Sequence, residues 1–203
     1  PRALDQLPVL PGAEAGAVDE SIAAGILRAH GDMLTFRHEL SLHTILENIP
    51  PHRKLVLHRL VLEALKQPPS AHKDLARLAY HAGAANDREA VSEYAPAAAQ
   101  HAAASGAHRE AAALYTLALR FDTHMQAEQL ATILGAYARE CNLTEQYAEA
   151  IAALRRAAEI WERLQMPQKQ GEALAAMAIM LRTSGKNAEA ERINSSVISM
   201  LEE

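Results

Sequence analysis

Histidine is the residue type through which this chain would do chemistry, and ten are present, at positions 30, 38, 43, 52, 58, 72, 81, 101, 108 and 124. Imidazoles hold a metal when two or three converge with a carboxylate or thiolate, and on a helix the signature is an i, i+4 pair. No such pair occurs. His38 and His43 are five residues apart and His52 and His58 six, neither an i, i+4 spacing. No metal is expected, and surface or helix-capping positions are the ordinary lot of such side chains. The single cysteine, Cys141, stands one turn beyond Ala138 on the inward side of a helix, where a small apolar residue is wanted. It reads as core and not as a nucleophile. A nucleophile elbow, a Gly-rich phosphate loop and a dinucleotide fingerprint are all missing from the sequence, so no catalytic residue is expected and the chain reads as non-enzymatic. Trp161 and the tyrosines sit at helical spacing and are expected to line core or groove. The one basic cluster, PHRKLVLHRL at 51–60, sets Arg53, Lys54 and Arg59 with His52 and His58 beside an apolar stripe. A solvated helix face is the expectation there, with contact to a phosphate or an acidic partner as the alternative.

The composition says what must position these residues. Of 203 residues 49% are hydrophobic, 22% charged and only 4% aromatic, and 43 are alanine. That is a globular composition, and alanine, the strongest helix former and a small side chain, implies many closely approached helices. One cysteine excludes a disulfide framework and suggests a reducing, cytoplasmic setting. No apolar run approaches the ~18 residues of a membrane span, so no membrane partner is expected. A net charge of −5 supplies no global field for nucleic acid. The chain opens on Pro1 and a segment cut by Pro8, Pro11, Gly12 and Gly16, as a piece of a longer polypeptide would.

Val18, Ile22, Ile26 and Leu27 predict a short amphipathic helix over 18–27. Gly31-Asp32 between extended pieces, with Met33 to Phe36 of strand character, predicts a small β-hairpin. Helical spacing resumes at Leu40, stops at Pro50-Pro51, resumes through Leu65 and stops at Gln67-Pro68-Pro69-Ser70. From Ala71 onward the chain reads as helices broken at 83–87, 105–106, 121–123, 142–146, 166–167 and 183–187. These helices repeat. Ala111, Ala150 and Ala190, each opening the apolar face of a second helix, are 39 and 40 residues apart. Ala99, Ala138 and Ala178 precede them in phase, and Ala118, Ala157 and Val197 follow in phase. Ala79 and Ala90 suggest a fourth, degenerate repeat upstream, one helix each. Antiparallel helices at close range need small residues at the contact, while Leu134, Tyr137, Leu174 and Met177 fill the grooves.

Residues 71–203 thus resemble tetratricopeptide repeats, with longer helices or turns than the usual ~34-residue period and without that family's Trp and closing Pro. The resulting fold class is all-α: a tetratricopeptide-like right-handed helical-repeat superhelix, preceded by a partial winged helix carrying one small β-hairpin. The domains follow as 1–48 (partial winged helix), 49–70 (linking helix) and 71–203 (repeats). Polar residues just past the packing alanines, Gln100 and Arg139, and Asn142 and Arg182 on the following turn, are placed on the concave face of the repeats as the partner-binding surface. With little aromatic lining, a protein or peptide partner, or an inducer, suits that face better than a drug-like ligand.

GDMLTFRHELSLHTILENIPPHRKLVLHRLVLEAL, then LARLAYHA and SEYAPAAAQHAAASGAHREAAALYTLALR, resemble the signalling-ATPase class of LuxR-type transcriptional regulators over most of 17–163. The resemblance implies an ATPase module that leads into a winged helix and tetratricopeptide-like helices, with DNA met through a domain outside this chain. It also implies that His38, with Arg37 beside it, contacts nucleotide phosphates in an intact protein, where an imidazolium would donate to phosphate oxygen. This chain has no Walker A or Walker B segment, so it is expected to hold no cofactor itself, ATP or ADP belonging to an upstream module. The function implied is the regulatory, protein-interaction arm of such a regulator. The alternatives are a stand-alone tetratricopeptide scaffold and a DNA-contacting winged helix, the latter opposed by Asp19 and Glu20 on the helix before the hairpin.

Overall fold

The structure, a computed structural model, describes residues 15–30, 33–67 and 74–202. The chain forms two compact units, Pro1–Asp87 and Arg88–Glu203. It is an all-α architecture of tetratricopeptide-like helix pairs with one small antiparallel hairpin.

The first unit holds α1 (Ala15–Ala23), β1 (Leu27–His30), β2 (Met33–Phe36), α2 (Glu39–Asn48), α3 (Pro51–Leu65) and α4 (Leu75–Ala84). The helix expected over 18–27 ends four residues early. Gly25 adopts φ +71, and the Ile26 N–H turns back to the Ser21 carbonyl at 3.0 Å, which closes the helix and releases Ile26 and Leu27. Leu27 then pairs with Phe36, and His30 with Met33, in an antiparallel ladder. The connecting Gly31-Asp32, the breaks at Pro8, Pro11 and Gly12, the stop at Pro68-Pro69-Ser70 and the start at Ala71 lie outside the described residues. Ile49, extended ahead of Pro50, ends α2, and Pro51 opens α3, where its missing N–H costs nothing. Helix α3 packs on α4, burying Val61, Leu62 and Leu65 on one side and Leu78, Ala79 and Ala82 on the other.

The second unit is α5 (Arg88–Ala104), α6 (His108–Leu119), α7 (Ala127–Leu143), α8 (Tyr147–Arg163), α9 (Pro167–Thr183) and α10 (Asn187–Glu202), each packed on the next. The in-phase alanines lie where helices touch. Ala99, Ala111, Ala118, Ala150, Ala178 and Ala190 are fully buried, Ala138 and Ala157 nearly so, and Val197 is half-buried. The longer period has a simple origin: α7, α8 and α9 are each 17 residues long and are joined by three-residue turns. The turns within the pairs, α5–α6, α7–α8 and α9–α10, share one device. Gly106, Glu145 and Gly185, themselves in phase, take positive φ, and the next N–H returns to the carbonyl of Ala102, Cys141 or Leu181 at 2.8–2.9 Å. One expectation is corrected. Ala90 and Ala99 lie on a single continuous helix, α5, so Ala90 cannot sit on the second helix of an upstream repeat.

Ion pairs link equivalent helices of successive pairs. Lys169 on α9 donates to Glu128 on α7 at 2.8 Å and lies 4.5 Å above the Trp161 ring, and Arg155 on α8 donates to Glu189 on α10 at 3.0 Å. First helices are thereby aligned with first helices, and second with second.

Candidate functional site

The proposed partner surface belongs to the second unit. Gln100 sits on α5, Arg139 and Asn142 on α7, and Arg182 on α9, each therefore on the first helix of a pair. Gln100, Arg139 and Arg182 are exposed and Asn142 is half-buried. The register joins them and adds a member that sequence reasoning passed over. Gln100 and Arg139 each follow a packing alanine by one residue, and in the third pair that position is Ile179, 48% exposed. The row one residue past the packing alanines is thus Gln100, Arg139, Ile179, and Asn142 and Arg182 form a second row one turn on. Its signal was in the sequence: the same offset from Ala178. A polar row ending in an exposed aliphatic suits a polypeptide surface, which mixes apolar and hydrogen-bonding groups.

Arg37 and His38 lie side by side in the link between β2 and α2, both exposed. The Arg37 N–H donates to the Ile26 carbonyl at 2.9 Å, and its guanidinium lies over Gly25, 3.6 Å from where a Cβ would stand. His38 is the N-cap residue of α2, in extended conformation, and its side chain makes no capping hydrogen bond. Its carbonyl accepts from the Ser41 and Leu42 N–H groups. Among the described residues no cluster of three metal-ligating side chains is found.

Two histidines depart from the surface role expected of them. His81, on α4, is only 5% exposed, and its Nδ1 lies 3.0 Å from Nδ1 of His58 on α3. Tyr80 meets both rings edge-on, its centroid 5.6 Å from His58 and 5.1 Å from His81. Burial, the His58 ring and Arg77 together hold the His81 pKa down at about 4 against a weaker upward pull from Asp74. Burial, with Lys54 nearby, also lowers that of His58. Both rings are therefore neutral at pH 7. A neutral pair sharing one Nδ1–H···Nδ1 bond has one ring protonated at Nδ1 and the other at Nε2, so a single Nε2–H donor is left over. The basic cluster is divided by the fold: His52, Arg53 and Arg59 are exposed as expected, but Lys54 and His58 are half-buried. Of the residues expected to line core or groove, Tyr115 and Trp161 are buried, whereas Tyr80, 51% exposed, lines a groove. The separation of 23 residues between His58 and His81 follows no helical or strand period, which is why spacing could not pair them.

Another such pair joins repeats: His108 at the start of α6 donates through Nδ1 to Glu140 of α7 at 2.8 Å. Cys141 is fully buried in the core of the second unit, as expected, and burial pushes its thiol pKa up, which keeps it unreactive. No helix among the described residues is long and apolar enough to cross a membrane.

No curated protein matches the chain. Two solved structures, each 14% identical, are similar to it. Aspartyl phosphate phosphatase F from Bacillus subtilis aligns over 81% of this chain and 45% of its own, with a TM-score of 0.49. BtubC (BKLC) from P. vanneervenii aligns over 74% of both chains, with a TM-score of 0.46. The chain thus spans less than half the length of the first. Residues 129–203, from α7 to the end of the chain, match the family described as tetratricopeptide repeat.

Proposed function

We propose that this chain is the protein-interaction arm of a cytoplasmic LuxR-type, ATP-dependent transcriptional regulator, binding a protein, peptide or inducer domain on the first helices of its repeats. The observation that carries the reading is the register of Gln100, Arg139 and Ile179, which recur with the packing alanines and face solvent instead of the core. Stacked helix pairs align such rows into one extended binding surface. The helix, hairpin, helix order of the first unit is what a partial winged helix ahead of the repeats requires, and supports placing the chain within such a regulator. Arg37 and His38 then belong to the nucleotide contact of an intact protein, both being exposed at the mouth of the hairpin. Asp19 and Glu20, exposed on α1, disfavour a DNA-reading role for that hairpin, since they would oppose phosphates. A stand-alone scaffold would use the same repeat face. The two readings differ in whether the same reading frame encodes an ATPase upstream.

The test is a partner captured from the native host by cross-linking to the chain and then titrated calorimetrically. The Arg139→Ala, Arg182→Ala double variant is expected to lose tenfold or more in affinity. Substitution of Glu162, exposed on α8, is expected to change it less than twofold. Unchanged affinity in the double variant removes the assignment of this face.

A further inference from the structure

Within the first unit, α2, α3, α4 and β2 border an open-sided cavity of about 350 Å³. Its walls are mainly apolar, with Phe36, Leu42, Leu46, Ile49, Leu57 and Val61 contributing. The polar exceptions are Lys54, His58, Tyr80 and His81. Lys54 and His58 are one turn apart on α3, and the paired imidazoles and Tyr80 ring form an edge-to-face cluster. Among the described residues, none that lines this cavity is a carboxylate.

The chemistry of the lining selects a ligand. Aliphatic walls reward an apolar body, and volumes from about 300 Å³ are those of small-molecule sites, apolar with a few convergent polar groups. At about 30 Å³ per water, the space is that of roughly a dozen small groups. The head group is decided by charge. Lys54 supplies an ammonium, and the neutral histidine pair supplies one Nε2–H donor. No carboxylate among the described residues lines the cavity, and Asp74, which acts on His81 from outside it, is paired with Arg77, so an anion is attracted and a cation repelled.

We propose that this cavity binds a medium-chain monocarboxylic acid, its aliphatic body among Phe36, Leu46 and Leu57 and its carboxylate on Lys54 beside the His58–His81 pair. The site is separate from the repeat face and does not depend on it. Binding would tie α2 to the α3–α4 pair, since the acid would touch side chains of all three helices.

The probe is sodium decanoate, titrated into the full 203-residue chain by calorimetry and by amide NMR, with decanol and decylammonium as neutral and cationic counterparts. Decanoate is expected to bind at least tenfold more tightly than decylammonium, with shifts concentrated in α2, α3 and α4. Lys54→Gln is expected to weaken decanoate fivefold or more and to leave decanol within twofold. Leu57→Trp, which fills the cavity, is expected to abolish both. Should that variant misfold, Lys54→Gln still decides, because Lys54 is a half-buried side chain outside the core. The proposal is overturned if decylammonium binds as well as decanoate, if Lys54→Gln leaves decanoate binding unchanged, or if the shifts fall elsewhere. It is also overturned if decanoate is silent while these helices show concentration-dependent shifts, which would make the face a contact between two copies of the chain.

Discussion

His108 Nδ1 donates to Glu140 Oε2 across 2.8 Å, joining the second helix of one repeat to the first helix of the next. The Glu140 side chain is only 7% exposed, so this bond satisfies a carboxylate that would otherwise be buried without a donor. His108→Ala is therefore expected to destabilise the second unit by about 1–3 kcal/mol, the cost of leaving such a group unpaired. The single tryptophan, Trp161, is buried in that unit and reports on it alone, so urea unfolding followed by its fluorescence reads the effect. His108→Gln, which can still donate, is expected to recover part of the loss.

The alanines act through size. Ala150 has no exposed surface, whereas Ala148, on the same helix, is exposed. Ala150→Leu forces three extra carbons into a helix contact and is expected to cost about 1–3 kcal/mol. Ala148→Leu is expected to stay within about 0.5 kcal/mol of the parent. Equal effects at the two positions in the same urea experiment would contradict close approach at Ala150.

Turn conformation gives a test free of packing changes. Gly185 has φ +83, and nothing lies within 4 Å of where its Cβ would be. Gly185→Ala is expected to lower stability by about 1 kcal/mol, through the left-handed backbone alone. Gln165, at φ 55, occupies the same kind of turn with a side chain, so Gln165→Gly is expected to raise stability by up to about 1 kcal/mol. Thermal denaturation of the two variants measures both signs.

The histidine pair predicts a pH dependence confined to the first unit. In the folded chain the His81 pKa is about 4, against an unfolded value of 6.5, so the unfolded chain holds more protons between those values. Stability is therefore complete above pH 6.5 and falls as the pH drops through that window. Hydrogen exchange of α3 and α4 amides, corrected for intrinsic rates, is expected to show protection falling in this range. His81→Phe, which removes one of the two titrating rings, is expected to make the profile shallower, leaving the part that belongs to His58.

How far the sequence reaches is clear from particular residues. Ala99, Ala138 and Ala178 revealed the repeats because a helix contact repeated along a solenoid imposes the same small residue at each turn of the superstructure. Proline and glycine revealed the breaks at Pro50-Pro51, Gly106 and Gly185 because proline's fixed φ and glycine's freedom to take positive φ act locally. Gly25 escaped because the apolar spacing of Ile26 and Leu27 continued a helical pattern that the backbone had already left. Periodicity scores side chains and not the turn that redirects them.

What the sequence determined by itself was therefore the periodic part: helix pairs, their phase, the small residues between them and the polar row one residue on. Tertiary structure alone decided which solitary residues meet. His58 and His81, His108 and Glu140, and Lys169 and Glu128 are 23, 32 and 41 residues apart. Each pairing depends on how two helices are turned and set against each other, a relation between elements that no spacing within one element encodes. The same holds for the cavity beside Lys54, which exists only because α2, α3 and α4 leave a gap that their side chains do not fill.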